Sequence, residues 1–152
     1  LGILAGYMLI TSEELYGRLP LLNLHPAAPQ GPVGTWKQIV RELIDSSAQR
    51  SGIMIQRASG ALDLGPILTS CRYSIRGGEL ESLWAERSGP TTEAEPLFKA
   101  IRAAGVKREP PFLIASLQAL ATGRISAGTK DARGPNLDLS NEVEAAIQMA
   151  KN

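Results

Sequence analysis

Asn23 and His25 stand two residues apart in the apolar run Leu21-Leu22-Asn23-Leu24-His25, and Pro26 ends that run. On a strand, residues i and i+2 project to the same side, so a carboxamide and an imidazole would share one face. Such a pair can donate hydrogen bonds to an oxyanion that develops when a carbonyl is attacked. About forty residues later, Leu62-Asp63-Leu64-Gly65-Pro66-Ile67 places a carboxylate in a tight turn. There Gly65 permits close backbone approach and Pro66 opens the next strand. A carboxylate near His25 could hold the ring's proton or shuttle protons. Taken singly, each residue also fits a plain duty: a strand-end histidine satisfied by backbone, a turn or cap asparagine, a turn aspartate.

The elements that must position these groups are readable from pattern. Leu1 to Ala5 reads as a buried strand of the parallel type, and Thr11-Ser12-Glu13-Glu14 as the start of a short helix ending near Gly17 to Pro20. After the second strand, Ala27 to Gly34 is rich in proline and glycine and predicts an irregular loop. From Thr35, the recurrence of Trp36, Ile39, Val40, Leu43 and Ile44 predicts an amphipathic helix to about Gln49, the βα half of a crossover unit. Gly52 to Arg57 predicts a third strand, and Pro66 to Ile75 one or two more. Beyond Gly77-Gly78 the pattern turns helical, with Leu80, Leu83 and Trp84, then Leu97, Phe98 and Ile101, then Phe112 to Leu120, interrupted by Pro90 and Pro110-Pro111. Residues 126 to 136 read as a linker before a short helix opening at Ser140.

The fold class expected is therefore α/β, an open, mostly parallel sheet followed by helices. The expected division is a catalytic part over 1–85, a helical part of the same domain over 86–125, and a linker with a short terminal helix over 126–152. The apolar start at Leu1, without an initiator methionine, reads as the later part of a longer domain.

Composition narrows the chemistry. With 152 residues, 43% hydrophobic and 20% charged, the chain has the make-up of one soluble globular domain. A net charge of +1 supplies no field to steer it to nucleic acid or anionic lipid, so both are disfavoured partners. One cysteine, Cys71, excludes an internal disulfide and multi-cysteine metal sites, and points to a reducing, cytoplasmic setting. One histidine excludes two-histidine metal motifs; no metal is expected. No apolar stretch is long enough to cross a bilayer. Cys71 lacks a histidine neighbour in sequence and is expected to be inert, Trp36 and Trp84 to serve packing, and the cluster of Arg102, Lys107 and Arg108 beside Glu109 to be a solvated surface.

Asn-x-His-Pro at a strand end, followed by Asp-x-Gly-Pro-Ile, resembles the folate-dependent formyltransferase family, and Leu4-Ala5-Gly6-Tyr7-Met8 is similar to the Ala-Gly-aromatic-Met strand upstream of that motif. The resemblance spans roughly residues 1 to 85. It implies transfer of a formyl group from 10-formyltetrahydrofolate, as cosubstrate, to a small-molecule amine acceptor, with glycinamide ribonucleotide of purine biosynthesis the first choice. It further implies that Asn23 and His25 hold the oxyanion, that Asp63 sets the charge of His25 and relays a proton, and that main chain of Tyr7, Met8, Leu9, Ile10, Ala58, Ser59, Gly60, Ala61 and Leu62 binds the pterin. This chain departs from the family after His-Pro, with Ala27-Ala28-Pro29-Gln30-Gly31-Pro32 in place of a Ser-Leu-Leu-Pro-like loop, which reshapes the acceptor side. The competing expectations are a folate- or ligand-binding module without catalysis, a formyltetrahydrofolate hydrolase, and a methionyl-tRNA formyltransferase. Homo-oligomerisation is left open.

Overall fold

The computed structural model describes residues 1–6, 12–59, 65–87, 89, 91–92, 95–127 and 136–150. Among these the elements are β1 (Gly2–Ala5), α1 (Glu13–Arg18), β2 (Leu21–His25), α2 (Trp36–Asp45), β3 (Arg50–Arg57), β4 (Ile67–Ser74), α3 (Glu79–Ala85), α4 (Pro96–Val106), α5 (Glu109–Ala121), β5 (Leu137–Asp138) and α6 (Ser140–Met149). The strands form one open sheet in the order β1-β2-β3-β4-β5. Parallel pairs lie at the two edges, β1 with β2 and β4 with β5. The centre is antiparallel, β2 with β3 and β3 with β4.

This is the expected open α/β architecture, with one local difference. The strand after α2 returns antiparallel to β2, so β2–α2–β3 is not a parallel crossover. The loop and helix together bring the chain back at the end of β2 from which it left.

Register divides the sheet into two faces. Leu24, Ile55 and Thr69 lie opposite one another on neighbouring strands, as do Ile53 with Cys71 and Ser51 with Tyr73. This face carries the helices. Leu22, Ile53, Ile55, Cys71 and Tyr73 join Ile39, Val40, Leu43 and Ile44 of α2, Leu97, Phe98 and Ile101 of α4, Phe112 of α5 and Val143 and Ile147 of α6 in one core. Thr69 Oγ1 and Ser116 Oγ of α5 share a buried hydrogen bond of 2.8 Å within it. The other face carries Asn23, His25, Gly52, Met54, Gln56, Ser70, Arg72 and Asp138.

Helix boundaries follow local chemistry. Thr35 caps α2 in a reciprocal capping box with Gln38. The helix stops at Asp45, four residues before the expected end, because Ser47 adopts φ 52°. Ser47 N–H then donates to Ile44 O and Ala48 N–H to Leu43 O, a Schellman closure built on serine. Arg76 seals the same end, donating to the Ala48 and Ser47 carbonyls while stacked 3.6 Å from the Trp84 ring centre. Pro110 and Pro111 mark the break between α4 and α5 as expected, and sit in the first turn of α5, where a missing N–H loses no helical bond.

Two further expectations are corrected. The opening strand is not buried: β1 is the edge of the described sheet, and Leu1 is 60% exposed. The basic cluster is not simply solvated, since Arg102 pairs with Glu109 at 2.6 Å and Arg108 with Glu144 at 2.7 Å, each arginine more than two-thirds covered. Trp36 packs on Phe98 and Trp84 is buried, donating to Ile75 O, so both serve packing. Unforeseen in the sequence, Leu137–Asp138 adds a fifth strand, and Leu139 N–H donates to Ser70 O to bring α6 onto the core. Among the described residues, no helix is long and apolar enough to cross a membrane.

Candidate active site

β2 carries polar groups into an otherwise apolar sheet, and the register fixes where they go. His25 lies opposite Met54, and Asn23 opposite Gln56. Directly paired residues share a face, so the carboxamide and the imidazole lie on the face opposite the helices, as their spacing predicts. His25 is 4% exposed and Asn23 half-buried. Pro26 ends the strand next to the imidazole and Ala27, 1% exposed, turns inward behind it.

The Asp-x-Gly-Pro segment is rooted close to Asn23. Ala58 N–H donates to Leu21 O at 2.8 Å, and Arg57 N–H donates to Pro66 O at 2.9 Å. Between them Gly65 presses on the Arg57 carbonyl so closely that a Cβ there would sit 1.7 Å from the oxygen. Arg57 in turn pairs with Leu22, the residue before Asn23. The glycine-proline pair therefore closes a segment whose two stems stand at the Leu21–Leu22 start of β2, the opposite end from His25. Ala58 and Ser59, half-buried, form its first stem. Asp63, with Gly60, Ala61 and Leu62, lies outside the described residues, and so do Tyr7, Met8, Leu9 and Ile10. The structure thus puts Asn23 and His25 on one face and roots Ala58 at Leu21, at the start of the same strand, while Asp63 lies outside the described residues.

Sequence reasoning missed three polar residues on this face. Gln56 is 2% exposed, a buried carboxamide at the end of Ile53-Met54-Ile55. Its signal was available: an amide in a strand-core run is costly to bury unless it is hydrogen-bonded. Ser70, 2% exposed, accepts a hydrogen bond from Asn136 Nδ2. Asn136 comes from the segment read as a linker, and no local pattern connects residues 66 positions apart.

Electrostatics separates this face from the helical one. Burial pushes the Cys71 thiol up to about 11, so it is not a nucleophile at neutral pH. Tyr73 is raised as well, mainly by burial. Asp138 is held below its ordinary range, first by the Ser140 hydroxyl that donates to it, with Arg72 and Arg50 adding weaker attraction.

A sheet with helices on one face and an asparagine–histidine pair on the other, at the end of a strand, has the formyltransferase fold. Solved structures define it by likeness at low identity. Phosphoribosylglycinamide formyltransferase from Campylobacter jejuni superposes with a TM-score of 0.59 at 21% identity, over 78% of this chain and 53% of that one. Glycinamide ribonucleotide transformylase 1 from Symbiobacterium toebii gives 0.60 at 19%, over 84% and 52%. Formyltetrahydrofolate deformylase from Pseudomonas putida gives 0.60 at 19%, over 84% and 39%. The chain spans about half the length of the solved formyltransferases it resembles. No protein-family profile and no curated protein sequence matches it.

Proposed function

We propose that the protein takes part in formyl transfer from 10-formyltetrahydrofolate to an amine, with glycinamide ribonucleotide as acceptor. The observation that carries this reading is the placement of Asn23 and His25 together on the sheet face opposite α2, α4, α5 and α6 in a formyltransferase fold. In the reaction the acceptor nitrogen attacks the formyl carbon, a tetrahedral oxyanion forms, and the bond from that carbon to the folate nitrogen breaks. Asn23 and His25 donate hydrogen bonds to the oxyanion. Asp63 fixes the charge of His25, and the proton lost by the acceptor amine passes through water to the leaving folate nitrogen. Main chain of residues 7–10 and 58–62 holds the pterin. The reading divides the chain into a catalytic part over 1–85 and supporting parts over 86–125 and 126–152, acting in the cytoplasm in purine biosynthesis.

Hydrolysis of the same folate to formate is the second reading, favoured by the equally good superposition on a formyltetrahydrofolate deformylase. The two share the oxyanion step and differ in the nucleophile. The test is release of tetrahydrofolate by the parent and by His25→Ala, each with and without glycinamide ribonucleotide. Removing one oxyanion donor is expected to cost roughly 100- to 1000-fold in rate with the fold intact. Acceptor-dependent turnover supports transfer, and acceptor-independent turnover supports hydrolysis. An unchanged rate in His25→Ala overturns both, and folate binding without turnover makes the protein a binding module.

A further inference from the structure

The segment after His25 is short of backbone donors: Pro26, Pro29 and Pro32 have no N–H. It is held from below instead. Gly52 of β3 and Arg72 of β4 are direct partners across the sheet, on the same face as His25. Ala28 rests on Gly52, where an added Cβ would lie 2.7 Å from the Ala28 Cβ and 2.9 Å from its Cα, so only glycine fits beneath the loop. The next residue completes the contact, for Arg72 Nη2 donates to Pro29 O at 3.2 Å. Gly31 N–H then closes the turn onto Ala28 O at 2.8 Å.

Consecutive loop residues are thus seated on a matched pair of strand residues, one by shape and the other by a hydrogen bond. Met54, which opposes His25, lies two residues from Gly52 on the same strand and face. The chain between the imidazole and this seat is only His25 to Ala28, and Ala27 within it is 1% exposed. Any lift of Ala28 and Pro29 is transmitted to the C-terminal side of His25, where the ladder ends. We propose that Gly52 and Arg72 form a clamp on this loop, and that Arg72 is a positioning residue that keeps the His25 imidazole buried in its working orientation. Its catalytic consequence rests on the formyl-transfer reading; the clamp itself does not.

His25 is the only histidine, so diethyl pyrocarbonate labelling and imidazole NMR signals report on it alone. In the folded full chain, Arg72→Ala is expected to raise the labelling rate about tenfold, the scale of one lost charge-assisted bond shared with solvent. Arg72→Gln keeps a donor and should stay close to the parent. Arg50→Ala removes a like charge from the neighbouring strand without touching the loop and should leave the rate unchanged. Gly52→Ala should expose His25 by displacing Ala28, and serves as the second probe where Arg72→Ala fails to fold. Formyl transfer by Arg72→Ala is expected to fall in kcat with KM little changed. Labelling and imidazole signals identical to the parent in folded Arg72→Ala or Gly52→Ala would overturn the clamp. Faster labelling in both variants, with no transfer by the parent, would uphold the clamp and remove the formyl-transfer reading instead.

Discussion

Gly65→Ala tests how the loop bearing Asp63 is held, and its cost can be worked from the contact. The new Cβ would sit 1.7 Å from the Arg57 carbonyl oxygen, whereas ordinary contact begins near 3.4 Å. No rotamer can relieve the overlap, because the methyl has none and the obstacle is backbone. The two stems must therefore separate by more than an ångström, which breaks the 2.9 Å bond from Arg57 N–H to Pro66 O. That bond contributes about 1 kcal/mol, and overpacking against backbone adds roughly 1–3 kcal/mol. The expected destabilisation is about 2–4 kcal/mol, read as a lower urea midpoint at unchanged slope. Because these stems stand beside Asn23, the same variant should lose formyl transfer by more than its stability accounts for. A change below about 0.5 kcal/mol would refute the reasoning, since it would show that the loop root yields freely.

Two further outcomes follow from the buried polar groups of the helical face. Thr69→Val removes the partner of the Ser116 hydroxyl, and leaving that group unpaired should cost about 1–3 kcal/mol by urea unfolding. Removing both hydroxyls in Thr69→Val/Ser116→Ala should recover much of the loss, and an additive double variant would contradict this. For Cys71, the folded thiol titrates at about 11 against 9.0 ordinarily, so the native state binds more protons than the unfolded one between those values. Stability should therefore fall as pH rises through that window, by roughly 2–3 kcal/mol in all. Tyr73, also raised, acts in the same direction. Urea midpoints at pH 8 and 10.5 check this, and Cys71→Ala should show the shallower decline.

The common face of Asn23 and His25 was legible because its signals are local. The spacing of Asn23 and His25 sets their common face through strand geometry alone, and Pro26 marks the strand end. Gly65 declared a close approach before its partner, the Arg57 carbonyl, could be named. Amphipathic spacing in α2 identified Ile39, Val40, Leu43 and Ile44 as core, and all four are buried. Where the reading failed, the deciding contact lay far away in sequence. Arg108 looked like surface charge, but it meets Glu144, 36 positions further on. Ser70 and Asn136 meet although 66 positions separate them.

The sequence by itself determined the strands and helices other than β5, and that an amide and an imidazole must emerge on one side of a strand, because both depend on residue periodicity over a few positions. Only the tertiary structure decided the strand directions, the pairing of Asn23 with Gln56, the arrival of β5 beside β4, and the seating of Ala28 and Pro29 on Gly52 and Arg72. Those contacts join residues tens of positions apart. They are chosen by which packing buries the apolar face of the sheet under α2, α4, α5 and α6, a condition that no short stretch of sequence contains.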